Sequence, residues 1–438
     1  MEMNQRSSST WGEGLVEKIP VEVIGEILSR VGVARDVIRA SLTCSKWREA
    51  YLKHLHTLSF NVDDDERVFR ELPTCDLEML ISKTLFQSPG LRRLSILMDE
   101  THEFLASSVV GWLEFARRNL TELFYKVRTS HPVDVLEICG KQLQTLSLSD
   151  YKITVVESYF KRFPRLTSLS LTHVTASVDD LNRLLLGFPN LERAELSHIS
   201  LEGSINEALK LDCPALKTLS LSYFRPRGFI LESGSGIDYL HLRRCYVHSF
   251  KVSRSTILRH FKMSDTRIQL LEVECGDNLE SLEITSSEVT ESNLFSRKIH
   301  TPQLRTFRIL DINEFAGGKG LAVDLERLAV GSPKLSHLTV FFKEDLKFTP
   351  TSSEKVEVLE IGWEWDYIEE FCEWTEKVLK CCPNVRKLIV QGEVLKVASI
   401  LCSAKYLTDF GGYKESMFEM MRKYRHIEVQ FVYTYHGK

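Results

Sequence analysis

Leu143-Gln144-Thr145-Leu146-Ser147-Leu148 and Leu166-Thr167-Ser168-Leu169-Ser170-Leu171 share one frame, L-x-x-L-x-L, with starts 23 residues apart. The frame begins again at Leu91, Leu120, Leu191, Leu216, Ile237, Leu258, Leu279, Leu304, Leu335, Val356 and Val385, with Tyr125 and Ala194 admitted at two of its apolar positions. That makes thirteen frames, spaced 21 to 31 residues apart. Leu55, Leu58 and Phe60 read as an opening frame, and Leu407 with Phe410 as a degenerate late one.

Spacings in this range are the period of leucine-rich repeats. The last two apolar positions alternate with one residue between them, so in a short strand they point inward while their neighbours face the other way. No single repeat can bury its apolar face alone, and stability arises from stacking neighbours in one dimension. The expected fold is therefore α/β: one curved parallel sheet, with a mixed helical and extended convex side, rather than three domains.

The returning segments differ in kind. Phe104, Leu105, Val109, Trp112, Leu113 and Ala116 form an apolar stripe, as do Leu181, Leu184, Leu185 and Phe188, and Pro189 stops the second of these helices. Asp366 with Glu369 reads as a capping box for a helix carrying Phe371, Cys372, Val378 and Leu379, ended by Pro383. The three successive 21-residue spacings that end at Ile237, Leu258 and Leu279 leave little room for a helix, and Val247–Val252 reads as extended. Helices need about 8–10 Å and strands about 4.8 Å, which predicts a flatter middle between more curved ends. Met417, Phe418, Met420 and Met421, then Ile427, Val429, Phe431, Tyr433 and Tyr435, predict a capping helix and strand over the last sheet edge.

Composition narrows the function. The 438 residues are 43% hydrophobic and 26% charged, with 56 Lys and Arg against 60 Asp and Glu, a net charge of −4. That balance argues against general nucleic-acid binding. No apolar stretch is long enough to span a bilayer, so no membrane partner is expected. The ten cysteines include no C-x-x-C pair and read as reduced, mostly buried thiols, including the Cys381-Cys382 pair beside Pro383. Neither catalytic residues nor a cofactor or metal set is expected. Gly317-Gly318-Lys319-Gly320 lacks phosphate-loop spacing and reads as an inserted loop, and Asp63–Glu66 as solvated acidic chain.

Residues 19–58 leave the repeat frame and predict three short helices. Pro20 suits a first helical position, Val23, Ile24, Ile27, Leu28 and Val31 make a broad apolar stripe, and Asp36 and Thr43 are candidate caps. About forty residues cannot build a self-sufficient core, so this module either docks on the repeats or presents a surface to a partner. Ile19-Pro20-Val21-Glu22-Val23-Ile24-Gly25-Glu26-Ile27-Leu28, followed by Asp36, Cys44 and Lys46-Trp47-Arg48, resembles an F-box, with Ile19 in place of the usual leucine. With the repeats attached, the chain resembles a plant F-box/leucine-rich-repeat protein. The family's Asn or Cys after the strand is replaced by Val174, Ile199 and Phe224 in several repeats, while Cys245 fits.

The expected division is residues 1–18 as a disordered N-terminus, 19–58 as the F-box that the resemblance implies, 59–85 as an acidic linker and opening repeat, and 86–438 as a leucine-rich-repeat solenoid with a C-terminal cap. The resemblance implies a substrate-recognition subunit of an SCF-type (Skp1-cullin-F-box) ubiquitin ligase, itself non-catalytic, in the cytoplasm and/or nucleus. A Skp1-like adaptor would contact Ile19, Pro20, Val23, Ile27, Leu28, Val31, Cys44 and Trp47 and bring cullin and RING subunits. A protein substrate of unknown identity would lie on the repeats; a small-molecule, hormone-like co-receptor of the same architecture is the alternative.

On the repeat face, small hydroxyls (Thr145, Ser147, Ser168, Ser170, Thr218, Ser220) give way to Tyr239, His241, Arg243, His260 and Lys262. These form a possible cationic and aromatic patch for an acidic or phosphorylated segment, with ordinary solvated strand residues as the alternative reading. Trp363 and Trp365 suggest a binding rim or burial under the helix that follows.

Overall fold

The computed structural model describes residues 18–62, 66–139, 141–153, 163–202, 208–211, 213–232, 236–253, 257–273, 276–292, 301–310, 328, 330–341, 354–363, 368–395 and 415–436. The chain forms two compact units, Met1–Arg193 and Ala194–Lys438. The expectations for residues 1–17, Asp63–Asp65, the glycine loop at 317–320, the Asp366–Glu369 capping box, the Trp363 and Trp365 side chains and the late frame at 407–410 lie outside the described residues or side chains.

The first unit opens with helices α1 (Val21–Val31), α2 (Ala34–Ser41) and α3 (Ser45–His54). They lead into the strands β1 (Thr57–Asn61), β2 (Arg93–Leu97), β3 (Glu122–Lys126), β4 (Thr145–Ser149) and β5 (Ser168–Thr172). These five strands pair in parallel, in that order. The register aligns the frames: Leu58 lies beside Leu94, Phe60 beside Ile96, and Leu146 beside Leu169. The opening frame is thus already a strand of the sheet. Behind it, the stretch expected as an acidic linker holds helices Glu66–Glu71 and α4 (Thr74–Phe86), whose Phe69, Leu77, Ile81 and Leu85 are buried.

The stripe ending at Ala116 forms α5 (Ala106–Ala116), where Trp112 is buried and donates its indole N–H to Ser82 Oγ at 2.8 Å. Leu105 departs from that stripe: it lies ahead of the helix, is exposed, and its backbone N–H meets the Glu78 carboxylate. In α6 (Val178–Leu186), Leu181, Leu184 and Leu185 are buried, and Ser177 Oγ caps the helix by accepting from Asp180 N at 3.0 Å.

The second unit continues the pattern in β6 (Arg193–Ser197), β7 (Thr218–Ser222), β8 (Tyr239–Arg243), β9 (His260–Ser264), β10 (Ser281–Thr285), β11 (Thr306–Leu310), β12 (His337–Phe341), β13 (Val358–Trp363), β14 (Lys387–Leu395) and β15 (Glu428–His436), paired in that order. Each of the thirteen frames and the opening frame carries one strand, and its three apolar positions are all buried. The backs of the middle repeats are extended: 208–211, 228–231, 246–252, 267–273 and 288–292 form a second parallel sheet of five strands, the middle three in 21-residue repeats as their short spacing predicts and the outer two in 25-residue repeats. Phe229 and Phe250 of this sheet stack with each other and with Phe261 of β9, with ring centroids 5.0 and 5.6 Å apart. Helix α7 (Ile368–Cys381) and the helix 415–423 return the last repeats toward β14 and β15.

One feature recurs without any matching residue type. Directly after a frame strand, Asp150, His173, His198, Tyr223, Arg244, Asp265 and Ser286 all take positive φ, 45 to 53°. Left-handed backbone costs a non-glycine residue roughly 1–2 kcal/mol. The turns at Asp150, His198, Tyr223, Arg244 and Asp265 recover part of that cost by presenting the N–H to the next repeat; Tyr223 N donates to Arg243 O and Arg244 N to Ser264 O, both at 2.9 Å.

The residue after the turn points inward, and there a polar ladder stands where the family's Asn would. Cys245 N donates to Thr266 Oγ1 at 3.3 Å, and Thr266 N donates to Ser287 Oγ at 3.1 Å. Both hydroxyls in turn donate to the strand carbonyl two residues back. Thr266 is 1% exposed, so Thr266→Val leaves the Cys245 N–H without a partner. We expect Thr266→Val to cost about 1–3 kcal/mol in urea unfolding, whereas the exposed His248→Ala stays within about 0.5 kcal/mol.

Candidate functional site

The three N-terminal helices have one docked face and one free face. Helix α1 crosses α3 at Gly25, where a Cβ would stand 2.3 Å from His54 Cβ and 2.7 Å from its carbonyl oxygen, so only glycine fits. Ile24, Leu28, Ala34, Val37, Ala50 and Tyr51 fill the interior. Gly32, at φ +67°, ends α1 and turns its carbonyl to accept from Ser59 N of β1 at 2.8 Å. Ser29 Oγ accepts from His56 N at 2.8 Å, and the Tyr51 hydroxyl donates to Thr84 O of α4 at 3.0 Å. Burial is the largest influence on the Tyr51 phenol and pushes its pKa up.

Local details differ from the sequence reading. Pro20 precedes the helix instead of opening it; its carbonyl accepts the first turn's hydrogen bond from Ile24 N. Neither Asp36 nor Thr43 caps a helix: Asp36 sits inside the first turn of α2 beside Arg35, and the Thr43 hydroxyl donates back to Ala40 O.

The outer face is apolar. Val23, Ile27 and Val31 repeat every four residues along α1 and are 47, 39 and 46% exposed. Leu42, in the turn between α2 and α3, is 74% exposed. Pro20 and Cys44 are exposed, and Ile19 and Trp47 half-buried. Seven of the eight residues expected to face a partner therefore remain accessible. Leu28 is corrected: at 1% exposure it belongs to the seam with Ile24, one residue round the helix from Ile27. Leu42 was missed because a turn residue has no periodicity to betray it.

Residues 16–56 match the family model described as F-box-like. Over 432 residues the chain is 39% identical to an F-box/LRR-repeat protein of Arabidopsis thaliana, covering 95% of this chain and all of that relative. The chain belongs to the F-box/leucine-rich-repeat family. Its first forty described residues are the F-box, and F-box modules bind Skp1-like adaptors.

On the repeats of this F-box protein, the second candidate group assembles as the frame predicts. Tyr239, His241 and Arg243 alternate on β8, with His260 and Lys262 beside Tyr239 and His241 on β9. The face is less cationic than its sequence suggested. Lys262 is paired with Glu283 of β10 at 3.0 Å. Burial, then the charges of Lys262 and Arg243, hold the His241 pKa below its usual value, so its ring is neutral near pH 7. Arg243 stays exposed and forms no ion pair among the described residues. Adding one 21-residue period to Lys262 lands on Glu283, the signal that could have found the pair.

Further along the same face, the carboxylate of Glu360 on β13 is nearly enclosed. Thr339 Oγ1 donates to it at 2.8 Å, Arg308 lies 3.5 Å away, Gln391 donates from β14, and His337 Nε2 stands at 3.6 Å, too far for a hydrogen bond. Burial alone would raise the Glu360 pKa; His337, Thr339 and Arg308 outweigh it and hold the carboxyl below the usual range. Its folded pKa being depressed, the stability it contributes is present above the unfolded value and is lost as pH falls through the folded one. In urea unfolding, the midpoint gap between the native chain and Glu360→Gln should therefore shrink as pH falls from about 6 to about 3. A gap independent of pH would contradict this charge network.

Proposed function

We propose that this protein is the substrate-recognition subunit of an SCF-type ubiquitin ligase. The F-box seats a Skp1-like adaptor, which links cullin and RING subunits, and the repeats hold the protein to be ubiquitinated. The observation that carries this reading is the stripe Val23, Ile27 and Val31 with Leu42. It stays exposed on a module whose opposite face is already docked on β1 and α4.

Burying side chains that are about half exposed gains each on the order of 1 kcal/mol, enough together to anchor a helical partner. No chemistry is required of this chain, because holding a substrate beside a charged ubiquitin carrier raises its effective concentration. Such an adaptor works in the cytoplasm and/or nucleus. On the substrate side, Arg243 is an exposed cation at one end of β8 and Tyr239 lies at the other, a face suited to an extended acidic segment.

Capture of a Skp1-like protein by full-length variants tests the proposal. Ile27→Glu places a charge in the docking stripe and should weaken capture on the order of tenfold or more, with helical content and melting temperature unchanged. Arg243→Glu should leave adaptor capture intact and reduce client capture more than Lys262→Glu, whose charge Glu283 already engages. Full adaptor binding by Ile27→Glu would overturn the assignment of the stripe.

A further inference from the structure

In the first unit, the chain segments that leave β2, β3 and β4 surround a cleft of about 450 Å³, open to solvent on one side. That is within the volume range of small-molecule sites. Its apolar wall comes from Met98, Val127 and Val133, with Tyr125 and Tyr151 contributing rings. Tyr151 is fixed in place: its hydroxyl accepts from Val135 N at 3.2 Å.

Tyr125 is the anomaly. It occupies the third apolar position of its frame, between Ile96 of β2 and Leu148 of β4, where the other frames place aliphatic residues and the opening frame places Phe60. The residue is 3% exposed, yet its hydroxyl has no hydrogen-bond partner among the described residues, and it lines the cleft. The hydroxyl reaches the cleft and is not sealed in the interior, so its proton is offered to whatever fills that space, an option phenylalanine at the same position would lack. Burial pushes the phenol pKa well up, so the group keeps its proton and can donate.

The rim carries three acids, Asp99, Glu100 and Asp150, against three bases, Lys126, Arg128 and Lys152, so its formal charges cancel. Several are already spent: Lys126 pairs with Asp150 at 3.1 Å, Arg128 with Glu103 at 3.5 Å, and Arg70 with Asp99 at 3.1 Å. A rim of this kind favours neither an anion nor a cation, while the wall favours an apolar body and the floor a single hydrogen bond.

We propose that this cleft binds a neutral small molecule with an apolar, ring-sized body and one hydrogen-bonding group, which enters inward end first and accepts from the Tyr125 hydroxyl. The site is separate from the adaptor stripe and from the β8–β9 face. Ligand binding there would give the substrate receptor a chemical input, although the proposal stands whether or not the ligase reading holds.

Two probes of nearly the same shape, benzyl alcohol and toluene, test it by saturation-transfer NMR titration of the full chain. Both should bind the native protein. Tyr125→Phe, which keeps the ring, should weaken benzyl alcohol about fivefold and leave toluene within about twofold. Val133→Phe, filling the wall, should weaken both at least about tenfold, with melting temperatures confirming that each variant is folded. Failure of both probes to bind, an equal response of the two to Tyr125→Phe, or indifference of both to a folded Val133→Phe would each overturn the proposal.

Discussion

Everything in both units depends on neighbouring frames burying one another's leucines across parallel strands in register. Leu146 and Leu148 have no water-excluding environment of their own; Leu123 and Tyr125 on one side and Leu169 and Leu171 on the other supply it. A shift of one residue would turn those side chains outward and bring Thr145 and Ser147 in, so the burial pattern fixes the register as firmly as the hydrogen bonds do. With the inner rows committed to packing, the interleaved residues are free to vary, and there the protein places its charges and aromatics.

The same constraint explains the F-box. Its first strand neighbour, β1, belongs to the stack, and Gly32, Ser29 and Tyr51 fasten the helices to β1 and α4 through polar contacts on the inner side. Close approach at Gly25 lets α1 lie flat on α3, so Ile24 and Leu28 suffice to fill the seam. Val23, Ile27 and Val31 are then surplus to folding. A module that needed those residues for its own stability could not also offer them to a partner.

Much of this was legible in sequence because two signals were periodic: the frame itself, and the 21-residue spacings, whose backs are extended; a 25-residue spacing did not decide, since it holds helix Val178–Leu186 in one repeat and strands 208–211 and 288–292 in two others. The F-box was legible because Pro20, the Ile27-Leu28 pair and Trp47-Arg48 stand in a recognisable order. What stayed hidden depends on geometry that residue identity does not encode. Ile27 and Leu28 are chemically alike, and only the helix's rotation against α3 sends one out and the other in. The left-handed turn recurs at Asp, His, Tyr and Arg alike, because the interrepeat hydrogen bond that compensates it belongs to the backbone. The ladder from Cys245 through Thr266 to Ser287 was obscured by a change of residue at every step, while Val174, Ile199 and Phe224 fill the same place with apolar bulk. The pairing of Lys262 with Glu283 turned an apparent cationic patch into a mixed-charge face.

Hydrogen–deuterium exchange of the full-length protein with and without a Skp1-like adaptor tests the central claim most directly. The account predicts that added protection is confined to residues 19–47, strongest in α1 and the turn at Leu42, while the strands from β2 onward exchange as before. Protection appearing on the repeat strands instead, or no change in α1 at saturating adaptor, would contradict it.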